Sequence, residues 1–325
     1  MLVNLKSFLM YLIKISAAVA IVWYMIHSGR LNLNTIYEAR NNYQLILLAF
    51  LILLLSVFIT FYRWKLLLKG QNIILSNRDV ISLGFIGLFF TSVLPGAVGG
   101  DLIKSVYIAK KVKTNKTSSV LTVLLDRIIG LTALVIICTV GLLINLKVVL
   151  KQPALRSLGL IIVAILLFLV LLTFIGLSKR VHRNKLFNKA MTKIPFSETF
   201  NKIYMAFHAY RDAHKYLTYA LLLSFLNHAT NIIAFYIITI ALGFGDLGLY
   251  AYIFIVPIGM ITAAIPITPA GIGIGQAAFL KLFEWSLGYP TTIGADAITI
   301  WQAISIVIFM VGGYFYITYR RTLTE

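Results

Sequence analysis

The sequence is poor in charge, poorest in acids, and nearly without cysteine. Only 12% of its 325 residues are Asp, Glu, Lys or Arg, about half the share of an ordinary soluble domain. With 60% of the residues hydrophobic, no soluble core of this size conceals the apolar surface, so lipid must cover it. Ten acids against 29 Lys and Arg leave a formal charge of +19. In a soluble protein such an excess points to nucleic acid. Here it fits basic loops facing the cytoplasm and its anionic lipids, and no nucleic-acid partner is expected. The one cysteine, Cys138, lies in an apolar run, which excludes an intrachain disulfide and a Cys-rich metal site. The acids are scattered, and no P-loop, GxSxG or HExxH occurs. No metal, cofactor or catalytic residue is therefore expected.

What is present is long apolar runs. Full spans need about 20 apolar residues, and the segments 8–26, 43–62, 119–144, 157–177, 216–242 and 293–318 qualify. The first run continues past Ala18-Val19-Ala20, so an uncleaved first span is expected. Two further apolar segments, 80–100 and 251–275, end in Pro/Gly clusters: Pro95-Gly96-Ala97-Val98-Gly99-Gly100, and Pro266 to Gly275. Pro removes a backbone donor and Gly loosens the chain, so each segment should break there. Short helices near 101–113 and 276–287 follow, which makes two re-entrant hairpins. The sequence thus predicts an all-α, polytopic integral membrane protein with about six full spans and two broken-helix hairpins.

With the N-terminus inside and both hairpins returning to their own side, most Lys and Arg fall on the inner face. Both termini are then cytoplasmic, in the cell membrane. The densest basic stretch, 178–215, interleaves cations with Leu186, Phe187, Phe196 and Phe207. It reads as a cytoplasmic amphipathic segment on the inner leaflet, either recruiting anionic lipid or anchoring topology. The order span, span, hairpin, span occurs twice within a single transmembrane domain, 1–325. Three crossings per half invert the second half, with a division near 147/148. Inverted repeats with matched broken helices are a transporter signature, and the binding site is expected at the breaks.

Around the first break, Gly99 and Gly100 leave backbone N–H groups uncovered, and Asp101 reads as the N-cap of the next helix. A helix start attracts anions. Lys104, three residues on, is expected to pair with Asp101 or bind the ligand. Asp126 and Arg127 lie inside the third full span, where ionisable residues are costly and face protein or a wet cavity. Adjacent on a helix, they point about 100° apart, so each needs its own partner; Asp101 with Arg127 is the expected pair, and a purely structural ion pair is the alternative. The second break, with Pro269, Gly271, Gly273 and Gln276, offers backbone and amide groups without charge. Asn227, His228 and Asn231 form a polar patch on the sixth segment, either a relay or a set of bonds between helices.

The run from Phe90 to Asp101, containing Leu94-Pro95-Gly96 and Gly99-Gly100-Asp101 and followed by Asp126-Arg127-Ile128-Ile129-Gly130-Leu131, resembles the family built on the transmembrane region of lysylphosphatidylglycerol synthases, also called the flippase-like domain family. Pro269-Ala270-Gly271-Ile272-Gly273 is similar to that family's second Gly-rich turn, and the likeness covers nearly the whole chain. In the larger synthases this region looks like the part that passes the aminoacylated lipid to the outer leaflet. The resemblance implies a stand-alone membrane domain without the aminoacyltransferase domain. The family's second turn usually reads Pro-Gly-Gly followed by a Glu. Here Ala270 replaces the first Gly and Gln276 the acid, which leaves proton coupling at that position open.

The expected function is movement of an anionic phospholipid or a lipid-linked polyprenyl phosphate between leaflets, with membrane lipids as partners. Two alternatives stand beside it: a membrane-embedded transferase acting on a lipid phosphate, with Asp101 or Asp126 as base, and a transporter of a small soluble anion.

Overall fold

The computed structural model describes residues 5–93, 99–112, 115–177, 204–265 and 268–324. These residues form helices and contain no strand. In order they are α1 (Leu5–His27), α2 (Leu33–Glu38), α3 (Tyr43–Gly70), α4 (Asn77–Val93), α5 (Gly99–Lys111), α6 (Lys116–Ile144), α7 (Leu146–Lys151), α8 (Pro153–Leu177), α9 (His214–Ala241), α10 (Leu249–Ala263), α11 (Ile274–Leu287) and α12 (Ile293–Thr324). Five described segments, Leu33–Gly70, Lys116–Ile144, Pro153–Ile175, Arg211–Ala241 and Ile293–Thr318, are long and apolar enough to cross a membrane. The chain is a multi-pass, all-helical membrane protein. The physical reason is that a helix satisfies every backbone donor within itself, which the bilayer core demands.

One boundary differs from expectation in a way that matters for the site. The sequence predicts the second span over 43–62, which leaves Arg63 just beyond its end. Helix α3 instead continues to Gly70, because Phe61, Trp64 and Leu68 keep the helical spacing and bury against the bundle.

Both broken segments fold back as hairpins. Helices α4 and α5 run antiparallel: Gly87 faces Gly100 and Lys104, while Lys111 and Asp79 pair at 3.1 Å near the open end. A Cβ on Gly100 would lie 2.0 Å from the carbonyl oxygen of Gly87, so only glycine permits this approach. The turn itself, 94–98, lies outside the described residues. In the second hairpin Gly259 on α10 packs on Phe279 of α11, and Gly271 turns back on Ala263. A 3-10 turn, Pro269–Gly271, precedes α11; residues 266–267 are outside the description.

The hairpins open at opposite ends. The open end of α4/α5 lies beside Asn72 at the end of α3. That of α10/α11 lies where Asn42 donates to the Ala241 carbonyl at 2.8 Å and Tyr289 donates to Asp246 at 3.3 Å. The closed ends meet midway, with Thr91 and Ser92 sharing a cavity with Ala263, Thr268 and Gly271. The remaining spans clasp this pair crosswise: α9 packs along α3, α12 along α4 and α10 along α6, with α5 also on α6 and α11 on α12. The two cross-contacts are backbone-close. A Cβ on Gly312 would meet the Phe85 carbonyl at 2.1 Å, and one on Gly141 the Ile253 carbonyl at 2.5 Å, the small-residue packing of membrane helices.

Most of the basic stretch, 178–203, lies outside the described residues. At its far end Tyr204, Phe207 and Tyr210 are buried, and the Tyr210 hydroxyl donates to the Leu67 carbonyl of α3 at 2.5 Å.

Candidate functional site

Five charged side chains from α3, α5 and α6 gather below the first hairpin turn. Asp126, ten residues into α6, is 6% exposed. Its Oδ1 accepts from Nε of Arg63 at 2.7 Å. Nη1 of Arg63 donates in turn to Oγ of Ser224 on α9 at 2.9 Å. Gly130, one turn along α6, leaves room for that guanidinium, since a Cβ there would lie 3.1 Å from Nη1. A buried charge persists only when paired and hydrogen-bonded, and this pair meets both conditions.

The neighbouring residue goes elsewhere, as helical geometry requires. Arg127 Nε donates to Oδ2 of Asp101 on α5, the pairing expected from the sequence. This bridge is more open: the Arg127 side chain is 48% exposed. Asp101 is not the N-cap of α5, because the helix already begins at Gly99. It sits in the first turn, where a carboxylate is favoured by the helix dipole, and its oxygen serves Arg127. Gly99 and Gly100 are buried at that start. Gly100 owes its identity at least partly to the close hairpin packing described above.

Lys104 does not pair with Asp101. It is 7% exposed, and its Nζ lies over the Trp64 ring, 3.7 Å from the centroid, a cation–π contact. Trp64 is held by donating from Nε1 to Oγ1 of Thr122 at 3.1 Å. Asp126, Asp101, Arg63 and Arg127 all lie within electrostatic reach of the ammonium. None of the described carboxylates makes an ion pair with it.

At the second turn Gln276 is structural as well as central. Its Oε1 accepts from the Gly273 amide at 2.6 Å, and its Nε2 donates to Oε1 of Gln302 at 2.8 Å and Oγ1 of Thr299 at 3.2 Å. Gln302 Nε2 donates to the Ala270 carbonyl at 3.3 Å. This amide network fixes the left-handed turn formed by Ala270, Gly271 and Gly273, with φ of 51°, 69° and 85°. Pro269 opens the 3-10 turn.

The patch on α9 divides. His228 Nε2 donates to the Gly130 carbonyl at 3.0 Å, a bond between helices. Asn227 Oδ1 accepts from Thr60 Oγ1 at 3.3 Å, and Asn231 Nδ2 donates to the Asn227 carbonyl at 2.7 Å. Asn227 and Asn231 also line a small, mainly apolar cavity with Ser56 and Thr60. His228 and Asn227 thus bond to neighbouring helices, while Asn231 bonds within α9.

Sequence reasoning missed Arg63, counted as a loop cation. The signal available was the continued Phe61, Trp64, Leu68 spacing around it. It also missed Trp64 and Trp301.

The model of the lysylphosphatidylglycerol synthase TM region matches residues 11–313. A protein described as a UPF0104 membrane protein, from Pyrococcus horikoshii, is 25% identical, over 99% of this chain and 99% of its own. No solved structure matches. With both hairpins and the Asp126-Arg127 pair inside the matched span, the chain belongs to the lysylphosphatidylglycerol synthase TM region family.

Proposed function

We propose that the protein is a flippase-type transporter that moves an anionic phospholipid or lipid-linked phosphate between leaflets. The observation that carries this reading is the charge balance below the first turn. Among the described residues Arg63, Lys104 and Arg127 gather around two carboxylates, Asp101 and Asp126, and each of these is engaged by an arginine. Lys104 is the surplus cation, buried without an anionic partner among the described residues. Such a charge is costly inside a membrane unless an anion compensates it. In this reading Lys104, Arg127 and the amides at the start of α5 bind the cargo phosphate, with Asp101 orienting the Arg127 fork.

The architecture supports transport. The order span, span, hairpin, span is read twice, as α1, α3, α4/α5, α6 and then α8, α9, α10/α11, α12. The crosswise packing of α4 on α12 and α10 on α6 supports an inverted repeat, halves 1–147 and 148–325, rocking about the hairpin turns. The basic excess at the end bearing Lys65, Lys69, Lys110 and Lys111 supports a cytoplasmic location for that end and for both termini. A transferase reading needs a free carboxylate as base, whereas Asp101 and Asp126 are both engaged.

Lipid retention in native mass spectrometry tests the site. The protein should retain phosphatidylglycerol over phosphatidylcholine, and Lys104→Met should abolish that preference. Methionine keeps the apolar stem of Lys104 and gives up the cation–π contact with Trp64, a loss of about 0.5–2 kcal/mol, so the variant should fold. Equal retention of both lipids by the unaltered protein would contradict the proposal.

A further inference from the structure

In the charged cluster below the first turn, Lys104 rests on a ring where its two arginine neighbours rest on carboxylates. Its Nζ lies 3.7 Å from the centroid of Trp64, while Arg63 takes Asp126 and Arg127 takes Asp101. The two members of the contact are held very differently. Trp64 is fixed scaffold. It is 0% exposed, its Nε1 donates to Thr122 Oγ1 at 3.1 Å, and that hydroxyl donates in turn to the Ser119 carbonyl at 2.7 Å. Arg63, the residue before it on α3, is tied to Asp126 and Ser224. The indole plane is therefore set by α3 and α6 together. Lys104 has no comparable tether. Its stem rests against Gly87 of α4, where a Cβ would lie 3.5 Å from the Lys104 Cβ, and its head is held by the ring face.

A ring face is a weak hold for an ammonium, since it offers no oxygen acceptor to the three N–H donors. A phosphate offers several charged acceptors, and hydrogen bonds to these are roughly twice as strong as neutral ones. The ring is thus a partner that a phosphate can displace. The neighbours show why displacement is needed. Arg127 presents its fork with the side chain 48% exposed, whereas Lys104 is 7% exposed over a fully buried ring. One phosphate engages both cations when the ammonium swings off the ring, and the flexible four-carbon lysine stem permits that swing. We infer that the Trp64 face and the cargo phosphate are alternative partners of Lys104, which makes Trp64 a positioning residue that takes the ammonium back as the phosphate leaves. This rests on the anionic-lipid reading above and adds how the site lets go. A transport site must bind firmly enough to load and weakly enough to unload. A competing ring weakens phosphate binding by the strength of the cation–π contact, about 2- to 30-fold.

The test weakens the ring face without changing its shape. Site-specific replacement of Trp64 by mono-, di- and trifluorotryptophan withdraws electron density from the face in steps, and keeps the size of the ring and its bond to Thr122. Binding of phosphatidylglycerol to the full chain in detergent is read by native mass spectrometry, with phosphatidylcholine as headgroup control. The affinity for phosphatidylglycerol should rise with each fluorine, by about two- to tenfold across the series, and dissociation should slow in step. In Lys104→Met protein the same series should be flat, because the cation is gone. A ring that merely packs would give a flat series in both proteins. An affinity that falls with fluorination would mean that ring and phosphate hold the ammonium together. Either result, with the preference for phosphatidylglycerol over phosphatidylcholine retained, would overturn the inference and leave the phosphate site standing. No such preference in the unaltered protein would remove the phosphate site, and the role given to Trp64 with it.

Discussion

Arg63 and Asp126, from α3 and α6, meet at 2.7 Å with both side chains under 10% exposed. They lock the helix that carries Arg127 to the helix that carries Trp64. The pair is therefore scaffold for the site. Removing one partner strands a buried charge, so Asp126→Asn and Arg63→Met should each destabilise the protein by about 3–5 kcal/mol. The double variant Arg63→Met/Asp126→Leu should recover most of that loss. Thermal unfolding in detergent, followed by size-exclusion profile, reads this directly; a double variant as unstable as the sum of the singles would refute the pairwise account.

Arg127 answers differently, because its side chain is half exposed. Arg127→Lys keeps the charge and loses the planar fork. Folding should be preserved, and lipid movement should slow by about tenfold or more, the worth of a charge-assisted hydrogen bond. Asp101→Asn should also slow it. Lys281→Gln, at an exposed site where Lys281 pairs with Glu284 at 2.7 Å, should leave the rate unchanged. An unfolding defect in Arg127→Lys without a transport defect in the folded fraction would instead mark a structural ion pair.

Ala270 sits at φ 51°, in the left-handed region that a Cβ disfavours by roughly 1 kcal/mol. Ala270→Gly should be tolerated with a melting temperature at or above that of the natural sequence, and Ala270→Val should lower it clearly. A melting temperature lowered by glycine would show that this turn is not strained at that residue.

The orientation has its own test. Cys138 is buried and should resist labelling. With that background, Lys110→Cys should react with an impermeant thiol reagent only from the cytoplasmic side, and Asp246→Cys only from outside. The reverse pattern would invert the proposed topology.

Much of this was legible in the sequence because hydrophobic length and Pro/Gly breaks report local physics. The spans and both hairpins follow from Pro95 with Gly99-Gly100 and from Pro269 with Gly271, and the Asp101–Arg127 pair follows from the divergence of adjacent helical positions. The partner of Asp126 was not legible. Arg63 lies at the polar end of a long span, where a cation ordinarily reaches the interface, and only tertiary packing with Ser224 shows it turned inward. Of the two expectations for Lys104, pairing with Asp101 or binding the ligand, the first is not met, because the Trp64 face, supplied by another helix, takes it. Trp301 and Thr268, buried donors with no hydrogen-bond partner among the described residues, border one cavity only because the two turns are brought together.

The central claim is that the buried surplus cation at Lys104 serves an anionic lipid in transit. Its most direct test is the rate at which fluorescent phosphatidylglycerol and phosphatidylcholine become accessible to an external quencher in vesicles reconstituted with the purified protein. The account predicts faster movement of phosphatidylglycerol, lost in well-folded Lys104→Met and Arg127→Lys proteins but kept with Lys281→Gln. Equal rates for the two lipids, or a preference unaffected by the Lys104→Met and Arg127→Lys substitutions, would contradict it.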